Sequence, residues 1–116
     1  MTEAALQQKV IRKLRALWPN VLIVNKSPSP FDKRGISDLL VALPHPQCVF
    51  PVFIPIELKR PGLNAEKELT EPQIAFLNKA VKAGCPRIVA SSWEEIIDVL
   101  TRLGFNTGVN GSLSAA

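Results

Sequence analysis

Little in this chain could hold a fold together from outside its own core. Its 116 residues include only two cysteines, Cys48 and Cys85, which is no disulfide framework. No charged segment followed by a short apolar run precedes them, so an intracellular, cytoplasmic protein is expected rather than a secreted one. The longest apolar run, Leu39 to Pro44, is too short to cross a bilayer, and no membrane partner is expected. Internal repeats and linkers are also missing. What is present is 47% hydrophobic residues, enough to bury a core. The length suits one domain, predicted over residues 1–104, with the Gly-, Ser- and Asn-rich residues 105–116 as a flexible tail.

Acidic residues are scarce in the first half. Residues 1–60 hold nine Lys/Arg against four Asp/Glu, while residues 61–116 hold five against six. The net charge is +4 and the sequence pI about 9.4. A basic half suits an anionic polymer as partner, although an ordinary solvated surface has the same balance.

The few acids of that half are placed unevenly. Two largely apolar runs, Gly35–Leu43 and Val52–Lys59, flank a Pro-rich loop from Pro44 to Pro51, the pattern of a long-looped β-hairpin. If the loop centres near Gln47 and Cys48, Asp38 falls opposite Glu57. Opposed residues share a face at about 5 Å between Cβ atoms, and Lys59, two residues on, shares that face too. Two carboxylates and an ammonium would converge at one end of an apolar hairpin.

The remaining elements follow from spacing and punctuation. Leu6, Val10, Leu14 and Leu17 recur at helical spacing behind a capping Thr2, and Glu3 lies on that apolar stripe in the first turn. Acids in a first turn also simply complement the helix N-terminus. Val21–Val24 reads as a short strand. Asn25–Arg34 reads as a loop whose two Ser-Pro steps disfavour helix, and it carries Lys26, Lys33 and Arg34 toward Asp38. Arg60-Pro61-Gly62 stops the hairpin, and Leu63–Leu69 is a polar connection. Thr70-x-x-Gln73 opens a helix with capping-box spacing, ending at Gly84. Arg87–Ser91 is a strand, and Ser92-x-x-Glu95 caps a last helix ending at Gly104. The order αβββαβα predicts an α/β fold with a mixed central sheet flanked by helices.

Neighbouring carboxylates repel unless one keeps a proton or a cation binds between them. Oxygen donors alone favour a hard cation such as Mg²⁺. A metal there, with Lys59 beside it, points to phosphodiester hydrolysis. Against this, Glu-x-Lys in a strand is common on solvent-facing edges.

Gly35-Ile36-Ser37-Asp38-Leu39-Leu40, Phe53-Ile54-Pro55-Ile56-Glu57-Leu58-Lys59 and Leu69-Thr70-Glu71-Pro72-Gln73 together resemble the VRR-NUC (virus-type replication-repair nuclease) domain of the PD-(D/E)XK superfamily. Ala83-Gly84, Ile88-Val89 and Ser92-Trp93-Glu94-Glu95 are similar to its closing strand and helix. The resemblance implies a restriction-endonuclease-like αβββαβ core plus a C-terminal helix. By the same resemblance, Asp38, Glu57 and the Leu58 carbonyl hold Mg²⁺, with Mn²⁺ able to substitute. Lys59 is then the catalytic lysine, and Glu3 and Gln73 complete the site. Ser37 departs from the Pro usual in the family, and the segment between Asn25 and Gly35 is shorter than in many relatives. The implied activity is a DNA endonuclease, selective for branched DNA in the manner of a Holliday-junction resolvase and acting as a homodimer. Lys26, Lys33, Arg34 and Arg60 would contact phosphates. Flaps, nicked or linear DNA are alternative substrates, and a non-catalytic DNA-binding module is the remaining alternative.

Overall fold

Alternation along the strands sorts this chain into two unequal sheet faces. The structure, a computed structural model, describes residues 1–25 and 35–108. Its elements are helix α1 (Glu3–Leu17), strands β1 (Leu22–Asn25), β2 (Leu39–Leu43) and β3 (Val52–Leu58), a 3₁₀ turn (Ala65–Glu68), helix α2 (Glu71–Lys82), strand β4 (Ile88–Ala90) and helix α3 (Trp93–Arg102). The four strands form one mixed sheet in the order β1-β2-β3-β4. β1 and β3 run antiparallel to β2, and β4 runs parallel to β3. A parallel neighbour needs a crossover, which α2 supplies.

Inward residues of the strands are Leu39, Val41 and Leu43, Ile54, Ile56 and Leu58, and Ile88 and Ala90, all buried in one cluster. Leu6, Val10, Ile11 and Leu14 of α1 and Trp93, Ile96 and Leu100 of α3 close over them. Thr2 caps α1, its side chain accepting from the Ala5 N–H. The other face of the sheet carries Leu22, Ala42 and Phe53 in register. Within β3, Pro55 stands opposite Leu40, one residue before the parallel pairing with β4 begins at Ile56.

Three expectations change. The first strand is Leu22–Asn25, one residue later than predicted. The polar connection after the hairpin holds a 3₁₀ turn, capped by the Asn64 side chain and tied by a Glu66–Arg87 ion pair to the residue preceding β4. The packed chain also runs past Gly104. Phe105 joins the core, its ring edge-on to Trp18 and to His45, and Thr107 is buried and bonded to Thr101. An aromatic and a hydroxyl with partners in reach order a stretch whose neighbouring composition reads as tail. Residues 109–116 of the expected tail lie outside the described residues.

His45 fastens the hairpin loop to the end of α3. Its Nε2 lies 2.8 Å from the Leu103 carbonyl, and its Nδ1 accepts from the Gln47 N–H. A carbonyl only accepts, so the proton sits on Nε2 of a neutral ring.

Candidate active site

The register of the hairpin builds the site. Leu39 pairs with Ile56, and one step further the same register sets Asp38 against Glu57. Both lie on the face opposite the core cluster. Asp38 Oδ2 accepts from the Leu58 N–H at 2.8 Å, and its carboxyl group lies near enough to that of Glu57 to raise the Glu57 pKa. The next N–H, that of Lys59, turns the other way and donates to the Ala90 carbonyl at 2.9 Å. The N–H and C=O of one residue in an extended strand point to the same edge, so the Leu58 carbonyl also faces the Asp38 side.

Glu57 is only 1% exposed. Burial first, then its hydrogen bond to Asp38 and the repulsion of that neighbouring carboxylate, raise its pKa to about 9. The attraction of Lys59 acts in the opposite direction and is outweighed. At neutral pH the metal-free pair therefore retains a proton on Glu57.

Lys59 is aimed by α2. Its Nζ donates to Gln73 Oε1 at 3.0 Å, and the same oxygen accepts from the Thr70 N–H at 2.9 Å. The Thr70 hydroxyl in turn accepts from the Gln73 N–H, completing the capping box. Capping and lysine positioning are thus both done by one amide oxygen. Serine 92 caps α3 in a related way, but there the Glu95 carboxylate reaches the Ser91 N–H and hydroxyl.

The start of α2 is held near the acids by Gly35, which has φ +86°. A Cβ there would lie 2.2 Å from the Pro72 carbonyl oxygen, so only glycine allows this approach. Ser37, one residue before Asp38, is buried with its hydroxyl unpaired among the described residues. Such a hydroxyl contributes nothing to stability. Ser37→Ala is expected to leave the unfolding free energy from urea denaturation unchanged or raised by up to about 1 kcal/mol, and a clear loss would reveal a partner for the hydroxyl.

Asp38, Glu57, Lys59 and Gln73, with the Leu58 backbone, are therefore brought together. Glu3 is not brought into hydrogen-bonded contact with them: it is exposed in the first turn of α1. No cluster of three or more His, Cys, Asp or Glu suited to a metal occurs among the described residues. Arg60 is exposed two residues after the end of β3, whereas Lys26, Lys33 and Arg34 lie outside the described residues. The contributions of Gly35 and of the buried Ser37 were missed by sequence reasoning. A glycine just before the strand was the available signal for the first. No helix among the described residues is long and apolar enough to cross a membrane.

A hard divalent cation fits this donor set. The pair offers carboxylate oxygens beside a backbone carbonyl, and its excess negative charge already requires a proton to stay buried. A small cation that keeps several waters needs few protein ligands. No protein-family model, curated protein or solved structure matches the chain.

Proposed function

We propose that this chain is a divalent-metal-dependent DNA endonuclease with a PD-(D/E)XK-type site of the VRR-NUC kind, selective for branched DNA and acting as a homodimer. The observation that carries the reading is half-buried Asp38 set against buried Glu57, whose pKa is raised to about 9, beside a lysine clamped by Gln73. Asp38, Glu57 and the Leu58 carbonyl would hold Mg²⁺ or Mn²⁺, which supplies Lewis-acid polarisation of a phosphoryl oxygen and a lowered pKa for bound water.

Each residue of the chain has a task in that reading. Glu57 would lose its proton to solvent when a cation is held and would then be an anionic ligand. Asp38 remains fixed through the Leu58 N–H, so its free oxygen stays directed into the site. Lys59 Nζ donates to Gln73 with one hydrogen and keeps two for water or for a phosphate oxygen that gains charge in the transition state. Gln73 prevents the flexible lysine stem from pairing with either acid. Arg60, together with Lys26, Lys33 and Arg34, provides cations for the phosphate backbone. Glu3, in the first turn of α1, is an accessory residue in this scheme.

A four-way junction needs two paired cuts, and a two-fold dimer supplies two such sites. The test compares cleavage of a labelled four-way junction and a linear duplex with Mg²⁺ and with chelator. Junction cutting that chelator abolishes is expected, and Asp38→Asn is expected to bind the junction without cutting it. Cleavage retained in Asp38→Asn would overturn the reading. Preferential cutting of flaps, nicked or linear DNA would keep the chemistry and change the substrate. The lack of a third acid beside the pair among the described residues favours one other reading, a non-catalytic DNA-binding module. Chelator-insensitive binding with no cutting of any DNA would select it.

A further inference from the structure

An apolar surface remains at the other end of the same sheet face, away from the acids. Its floor is a groove of about 520 Å³ between the α1–β1 turn and the hairpin loop, lined among others by Trp18, Leu22, Ala42, Pro44 and Phe50. None of its lining residues is Asp, Glu, Lys or Arg. Of the lining residues, Val49 and Phe50 are 94% and 80% exposed, and Leu22 is 65% exposed. Phe53, also exposed, continues the patch because it pairs with Ala42, which pairs with Leu22.

We propose that this surface is a two-fold interface with a second copy of the chain, each copy placing Phe50 in the groove of the other. The proposal identifies the contact of the homodimer put forward above but does not depend on nuclease activity. Three observations favour a second copy over another occupant. First, knob and groove belong to one patch, which is what an isologous interface requires: residue i meets j, and j meets i. Second, the area is sufficient. At ~200 Å² for a phenylalanine and ~150 Å² for leucine or valine, the exposed parts of Leu22, Val24, Val49, Phe50 and Phe53 total roughly 600 Å². A stable dimer buries about 800 Å² per partner, about two-thirds of it apolar. Third, charge does not oppose it. Two copies of a +4 chain repel, and the uncharged lining keeps that repulsion out of the contact itself.

The loop that carries Phe50 is anchored at His45. His45 ties the loop to the Leu103 carbonyl and to the Gln47 N–H. Less ordering is then left to be done on association, which strengthens binding for a given area.

Sedimentation of the full chain from about 1 to 100 µM, where an interface of this size associates, tests the proposal. The wild type is expected to reach twice the monomer mass, and Phe50→Asp to weaken association by at least about thirtyfold. Val81→Asp, at a half-exposed apolar site on α2, is expected to dimerise as the wild type does. A second readout needs no change to the patch. In a Cys85→Ser background, alkylation of exposed Cys48, which lines the groove, is expected to slow as protein concentration rises. A wild type that stays monomeric throughout overturns the proposal, as does a dimer indifferent to Phe50→Asp or a Cys48 rate independent of concentration. Asp38→Asn is expected to remain dimeric, so failure of the nuclease reading and failure of this one are read separately.

Discussion

Glu57→Gln is expected to abolish metal-dependent cleavage and, in the same protein, to raise stability at neutral and alkaline pH. The opposed outcomes share one cause. Glu57 is buried beside Asp38, and its pKa in the folded chain is about 9 against 4.5 for the free group. The folded state thus binds a proton that the unfolded state has lost anywhere between those values. Stability without metal is greatest below about pH 4.5 as far as this group is concerned, and declines as pH rises toward 9. The slope is at most about 1.4 kcal/mol per pH unit.

Glutamine keeps the shape and hydrogen bonding of the protonated acid but cannot ionise. Urea or thermal denaturation with chelator, run from pH 5 to 9, should therefore show a falling midpoint for the wild type and a flatter one for Glu57→Gln. Parallel pH profiles would remove the buried proton from the account. Addition of Mg²⁺ should raise the midpoint of the wild type by mass action and leave that of Glu57→Gln nearly unmoved. The loss of cleavage should be on the order of a thousandfold, the several kcal/mol a positioned Lewis acid contributes.

Gly35→Ala is expected to lose about 3 kcal/mol, some 12 °C in midpoint for a domain of this size. The added methyl would meet the backbone of Pro72 at 2.2 Å, in a left-handed conformation that L-residues avoid. Backbone cannot swing aside as a flexible side chain can, so the Gly35 turn and α2 must separate. Gly62→Ala is the matched control. Its φ is +91° with nothing within 4 Å of the added carbon, so the cost should be only about 1 kcal/mol. Equal losses in the two variants would show that the Gly35–Pro72 approach is unimportant. The separation should also release Gln73, leaving cleavage by Gly35→Ala weaker than that of Gly62→Ala under folded conditions.

How far the chain could be read in advance varied with the kind of interaction. The hairpin was legible because its signals are local: two apolar runs spaced evenly about Gln47 and Cys48 leave one register, and that register opposes Asp38 and Glu57. The capping residues Thr2, Thr70 and Ser92 were legible for the same reason. Contacts between distant segments were not. Nothing near Gln73 in sequence indicates that its oxygen is shared with Lys59, and nothing near Phe105 indicates that Trp18 and His45 await it. Glu3 shows the converse limit. Helical spacing placed it on the apolar stripe, but in the first turn of α1 that position is open to solvent. Burial of Glu57 is likewise a property of the assembled sheet, because a strand-end glutamate looks alike whether or not a helix covers it.

Pro55 has a consequence for what the protein avoids. β4 pairs with residues 56–58 of β3, and among the described residues no strand pairs with the earlier part of β3 on the same side. Lys59 donates toward β4, and by alternation the backbone nitrogen at position 55 points that way as well. In proline that nitrogen carries no hydrogen. An incoming β-segment from another molecule would find a gap in the donor row where it needs one to zip up. The break discourages open-ended stacking of sheets into fibrils along that margin.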